Sequence, residues 1–492
     1  MGFATVNSNT TGLRIAEEAS PKVLPNTPVW EPQEPNGYGD FGAETKTEAR
    51  APIAADRQRR KGPVVDVDAM AGFTADFTTK AFVSLMQGFL FASWRRKPEF
   101  APTAVTTTAY TVPSGGAAVS AGSIVFAEGF AVQGNNGLRV VSASADTSIS
   151  TTAGLTAEAS PPAGAKVTRV GTVGSVQGIL VVGGVVTVTG AALNLQGIIP
   201  GEWFWLGGDS AESRFDNPAC NGLYRARTVS AGAIVCDRAP DGVATDAGVG
   251  KGVFMFLGHV VKNEADPTLQ VQRTYQAERL LSPTTAQYVT GCLPNQFDLD
   301  VKTSSKVTCE LKFMGLDEET PNALKSGVRP GLPAQSAYSS TTDFARLRLL
   351  NDTSGAALAT YLTDLKLSID NGAEAIKAIG STGGVDHSVG DFKVTGSVEA
   401  FFSTMEAVRA VRANVDVALD FGLVTNVTTP GVGTQAVGWL FDVPLITLGD
   451  ARLKVEKDKP IKLPLSMDAS AHTVLNHTLL VMNFPFLPQL AN

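Results

Sequence analysis

Apolar and polar residues alternate along most of the chain, with Gly or Pro every few positions, and this period of two predicts short β-strands joined by turns. TKTEARAPIA (45–54), VVDVDAMAGFTADFT (64–78), LQVQRTYQAERL (269–280) and DLDVKTSSKVTCELKFMG (298–315) follow it. So do DLKLSIDNGAEAIKAI (364–379), GDFKVTGSVEAFFS (390–403), VDVALDFGLV (415–424) and the segments from Gly438 to Phe486. Two stretches carry helical spacing instead, AFVSLMQGFLFASW (81–94) and TMEAVRAVRAN (404–414), and TTAQYVTGCLPN (284–295) also reads as helix-like.

Residues 101–265 are almost purely strand and turn, which predicts one or two small β domains. Within them the apolar run from Ile179 to Gly190 contains Gly183 and Gly184, so it reads as a buried strand pair rather than a membrane segment. Trp203 and Trp205 fall on one face of a strand and are expected in a core. Residues 1–45 set isolated anchors, among them Leu13, Ile15 and Trp30, in a background of Asn, Thr, Pro and Gly, and read as an extended arm that needs another surface to lie on. Residues 316–340 read as a connector.

The two strand–strand–helix stretches have the same order of elements. Laid side by side, Gly72 falls opposite Gly396, Phe77 opposite Phe401 and Thr79 opposite Ser403, which suggests a divergent internal duplication with a long insertion in the first copy only.

Composition narrows the function. A chain of 492 residues is long enough for several domains, and a net charge of −7 provides no basic footprint for gripping phosphates. Cys220, Cys236, Cys292 and Cys309 show no C-x-x-C spacing and are expected to be buried free thiols. His259, His387, His472 and His477 are scattered, without metal-ligand spacing. Asp66 and Asp68 share a strand face, where acidic alternation needs no chemistry. No nucleophile elbow, P-loop or dinucleotide fingerprint is found, so neither an enzyme nor a cofactor is expected. The start of the chain has no basic segment followed by an apolar run, and assembly from a cytoplasm is expected. The basic cluster Arg57, Arg59, Arg60 and Lys61 lies in a loop between strands and is expected to pair with acidic residues of another subunit.

Taken with the segment from Glu17 to Trp30, the stretch ADRQRRKGPVVDVDAMAGFTADFT leading into a helix, LQVQRTYQAERL, and GDFKVTGSVEAFFS leading into a second helix, the chain resembles the major tail tube proteins of siphophage-like bacteriophages, in the subgroup with two tube domains. That resemblance implies a mainly β fold: β-sandwich or barrel domains, each with a flanking helix. The division expected is an arm at 1–45, a first tube domain at 46–100 and 266–320, an inserted exterior β region at 101–265, a linker at 321–345 and a second tube domain at 346–492. It further implies homo-oligomeric rings, trimers or alternatively hexamers, stacked into a conduit in the virion tail. The tape measure, tail terminator and distal tail proteins would be its partners, and DNA would pass without specific binding. The arm residues Leu13, Ile15 and Trp30 would then contact a neighbouring subunit. A baseplate, decoration or adhesin protein with a glycan-recognising β domain is the alternative reading.

Overall fold

In a computed structural model of the chain, residues 11–489 are described apart from 54, 57, 334, 353–354, 359–360 and 430–432. The fold is mainly β, in several antiparallel sheets of which none is closed.

The first set of elements is β1 (Gly12–Glu17), β2 (Pro35–Thr47), β3 (Val64–Asp76), α1 (Val83–Phe89), β4 (Tyr275–Ser282), β5 (Thr285–Lys302), β6 (Thr308–Gly315) and β7 (Asp317–Glu319). The second is β8 (Phe344–Asn351), β9 (Leu362–Asp370), the hairpin β10 (Glu374–Lys377) and β11 (Gly384–Ser388), then β12 (Lys393–Phe401), α2 (Glu406–Arg412), β13 (Val417–Thr429), β14 (Gly433–Asp450), β15 (Lys462–Ala469) and β16 (Leu480–Leu487).

Their pairings run in parallel. In the first set β1 pairs β4, β2 pairs β3, β3 pairs β6, and β5 pairs β4, β6 and β7. In the second β8 pairs β13, β9 pairs β12, β12 pairs β15, and β14 pairs β13, β15 and β16. Six pairings of one set thus have counterparts in the other, while the β10–β11 hairpin and the pairing of β1 with Glu31–Gln33 do not, and the long strands β5 and β14 are each 18 residues. A single further pairing, β5 with β9, joins the sets into one continuous run of eight strands, β2-β3-β6-β5-β9-β12-β15-β14.

One apolar core lies beneath both sets. Phe77 is fully buried and packs on Phe82, Phe297, Trp439 and Phe441, so it draws aromatic rings from both halves. Helix α1 lays Leu85, Met86 and Phe89 on this core. It stops after seven residues, where Phe91 takes a left-handed backbone (φ +46°), so the helix is shorter than the apolar run 81–94 suggests. Gly88 is required inside it, because a Cβ there would meet the Tyr275 hydroxyl at 2.7 Å.

Several expectations are corrected. Residues 285–295 form the first part of β5, not a helix: from Ala286 to Pro294 all but Gln287 are buried, so both faces are covered and the alternation that marks a strand is erased. The strand read at 45–54 ends at Thr47. Segment 12–47 is no free arm, since β1 and β2 are the opening strands of the first set. Nor is 321–345 a bare connector, because Val29 bridges Val328, the Trp30 indole donates to Ser326 O at 3.0 Å, and Tyr338 is fully buried.

The side-by-side alignment also slips by one residue. Core-facing positions are Ala71, Phe73, Ala75 and Phe77 in the first set, but Val394, Val398 and Ala400 in the second, while Phe401 is 40% exposed. A one-residue slip reverses every side chain in a strand; Phe77 therefore shares its core-facing position with Ala400 and not with Phe401.

Residues 99–257 form a separate 13-stranded sheet with two apolar clusters of its own. The run Ile179–Gly190 is a hairpin turning at Gly183 and Gly184, with Leu180, Val182 and Val185 exposed on one side. Although this region leaves the chain after α1, it docks on the second set. Strand 259–262 pairs β16, and Ile124, Phe126, Trp203 and Phe256 share an apolar layer with Leu440, Met482 and Phe484.

Candidate assembly surface

The eight-strand run turns one side to the core and the other to solvent. On the solvent side β3 presents Asp66, Asp68 and Asp76, β5 presents Asp298 and Asp300, and β9 presents Asp364 and Asp370. Lys302, Lys312, Lys366 and Lys393 stand among them, but carboxylates outnumber lysines on this face. A trough of about 780 Å³, with Asp298, Asp300, Glu310 and Lys366 in its lining, crosses it from Thr74 on β3 to Ser466 on β15, passing over the β5–β9 joint.

The β10–β11 hairpin folds from the second set onto the first. Lys377 on β10 bridges Asp66 (2.5 Å) and Asp68, and Lys46 on β2 also reaches Asp68. The hydrogen bonds from Lys377 hold both carboxyls below their ordinary range. The His387 ring lies 2.7 Å from Gly291 O, and Gly384 N–H donates to Leu316 O at 2.9 Å.

The connection between β2 and β3 projects in the corresponding place. Arg50 and Arg60 exchange backbone hydrogen bonds at 3.2 Å, forming a narrow two-stranded extension. Arg60 pairs with Asp56 of the same loop at 2.5 Å, Arg59 and Lys61 are exposed, and Arg57 lies outside the described residues.

Leu13, Ile15 and Trp30 are 1%, 3% and 0% exposed within their own chain. Leu13 and Ile15 enter the main core, and Trp30 packs edge-on against Tyr288 at 5.5 Å. Their partners are intramolecular, which corrects the expectation that a neighbouring subunit covers them. The sequence signal that was available is the alternation of GLRIAE itself, a strand pattern too short to stand out.

A family model described as phage tail tube protein matches residues 200–469, more than half of the chain. The chain belongs to the phage tail tube protein family. No curated protein matches it. The matched span takes in β4 to β15, including the joint and most of the trough, while β2 and β3, with Asp66, Asp68 and Asp76, lie before it.

Other features of the tail tube protein are accounted for by packing. All four cysteines are buried and free, and burial pushes the Cys236, Cys292 and Cys309 thiols up. Trp203 is buried where the sheet of residues 99–257 meets β14, its indole donating to Asp442 at 2.9 Å. Among the described residues no cluster of His, Cys, Asp and Glu is placed to hold a metal ion, and no helix is long and apolar enough to cross a membrane.

Proposed function

We propose that this chain is the major tail tube protein of a long, non-contractile bacteriophage tail. Three copies close into a ring of pseudo-sixfold symmetry, and rings stack into a conduit for DNA. The observation that carries this reading is the repeated pairing order: two sets of elements, related as an internal duplication, place four strands each in one continuous sheet. Such a chain supplies two of the six wall segments a single-domain subunit would supply one of. Fusion lowers the cost of closure, because the second segment arrives at high effective concentration beside the first.

The trough faces the lumen. Its carboxylates repel phosphates, so that DNA slides and is not held. The inserted region lies on the opposite side of the wall, on the exterior. Tape measure, terminator and distal tail proteins are the partners of such a tube, which is built in the host cytoplasm and resides in the virion tail.

Negative-stain imaging of the purified protein tests the assignment, and mass measurement of single rings tests the copy number. Rings of three chains are expected. Rings of six full-length chains would remove the pseudo-sixfold reading, and the absence of rings or tubes under all assembly conditions would remove the tube reading.

A further inference from the structure

Strand 259–262 meets β16 with His259 directly opposite Asn483. Side chains at directly opposed positions of an antiparallel pair share a face, with their Cβ atoms about 5 Å apart. Both are more than nine-tenths buried, at 6% and 8% exposure. The His259 Nδ1 accepts the Lys97 backbone N–H at 3.0 Å, so in the neutral ring the proton sits on Nε2. Neither that Nε2 nor the Asn483 carboxamide has a hydrogen-bond partner among the described residues. Buried polar groups are ordinarily paired, and two bare ones on a single face point to an occupant.

The two groups line one cleft of about 560 Å³, enclosed by the start of α1, by β13, β14 and β16, and by the sheet of residues 99–257. That size is usual for small-molecule sites, which combine apolar walls with a few convergent polar groups. Phe126 and Phe484 supply apolar wall. Of the charged side chains in the lining, Lys166 is held between Glu99 and Glu128, at 3.4 and 3.3 Å. Lys80 and Arg96 are exposed and form no ion pair among the described residues, so the lining keeps an excess of positive charge.

We propose that this cleft binds a small hydroxylated organic acid of the sugar-acid class. The His259 Nε2–H needs an acceptor, whereas the Asn483 carboxamide both donates and accepts. A hydroxyl group answers both, while an oxyanion answers only the donors. The acid group of the ligand lies towards Lys80 and Arg96, where a charge-assisted contact is available, and its carbon ring lies against Phe126 and Phe484. The site is complete within one chain and goes beyond the tube reading.

Calorimetric titration of the full, unassembled chain with sodium galacturonate tests it, beside galactose, which lacks the acid, and acetate, which lacks the hydroxyls. Saturable binding of galacturonate is expected, at least about tenfold tighter than of either control. Arg96→Ala, at an exposed position, and Asn483→Leu should each weaken it by about tenfold or more. An oligogalacturonate separates two sources of the ligand: tighter binding than of the monomer marks the end of a polysaccharide, and equal or weaker binding marks the free acid. Should Asn483→Leu not fold, the imidazole signals of wild-type protein isotope-labelled in histidine decide. The His259 signal, assigned through His259→Gln, is expected to shift with galacturonate while those of His387 and His472 stay in place. No saturable binding, equal affinity in wild type and Arg96→Ala, or acetate or inorganic phosphate bound as tightly as galacturonate overturns the proposal and leaves the cleft to water. Because the titration needs no rings, failure of assembly defeats the tube reading without touching this site.

Discussion

Arg225, on the inserted region, donates to both carboxylate oxygens of Asp442 on β14, at 2.9 and 3.0 Å, and both side chains are almost wholly buried. Asp237 takes the remaining face of the guanidinium, and the Trp203 indole also donates to Asp442. Removing one member of such a pair strands the other in a medium that cannot solvate it. Asp442→Ala is expected to cost about 3–5 kcal/mol, more than Arg225→Met combined with Asp442→Leu. Urea denaturation of the three proteins measures the order, and an equal or smaller loss in Asp442→Ala would contradict it.

Excising the inserted region uncovers the layer holding Leu440, Met482 and Phe484. An exposed apolar face of that kind favours aggregation. A chain lacking 101–258 is expected to be largely insoluble, and polar substitution at those three positions to restore soluble protein. Good solubility of the simple deletion would show that the layer matters less than its burial implies.

Phe77 and Phe401 occupy matching places by simple alignment but opposite environments. Phe77→Ala is expected to lose about 3–5 kcal/mol, as for other fully buried aromatics, and Phe401→Ala about 0.5 kcal/mol or less. Thermal melts compare the two directly.

Burial pushes the His259 imidazole down to about 4 and that of His477 to about 3, so both are neutral in the folded protein where the unfolded chain would bind protons near pH 6.5. Between those values the unfolded state holds more protons, and stability rises with pH. These histidines should add nothing to the pH dependence above about pH 7. Below pH 6.5 each should remove about 1.4 kcal/mol per pH unit. His259→Gln with His477→Asn should flatten the acid limb of a stability profile; an unchanged slope would assign it to other groups.

If the solvent face of the eight-strand run lines the lumen as proposed, replacement of Asp298, Asp300 and Asp364 by Lys is expected to make assembled tubes retain duplex DNA at low salt, with release as salt rises. Wild-type tubes should pass through the same sedimentation assay without DNA. Equal retention by both would place that face away from the lumen.

The strand-rich fold, both helices and the order of elements around them were legible because alternation survives wherever one face of a strand is wet, as in CELKFMG of β6 and KVTGSVEA of β12. It fails where burial is two-sided. AQYVTGCLP loses its period in that way, and its unbroken apolar character imitates a helix. The opening segment is illegible for a different reason: Leu13, Ile15 and Trp30 are covered by residues 275–282 and 324–330, hundreds of positions away, and sequence spacing carries no trace of that contact. The slip between Gly72 and Gly396 arose because identity of residue type was matched without the parity of the strand face. The trough gathers single side chains from strands widely spaced in sequence, so no local motif announces it.

The inserted region is rooted after α1 in the first set, yet its docking strand and its buried ion pair belong to the second. It thus ties the first set to the second by a route separate from the β5–β9 pairing. A contact between separate chains would have no such tie. In the ring proposed above, contacts within a chain would be held twice and contacts between chains once, and a bending load would open the latter first.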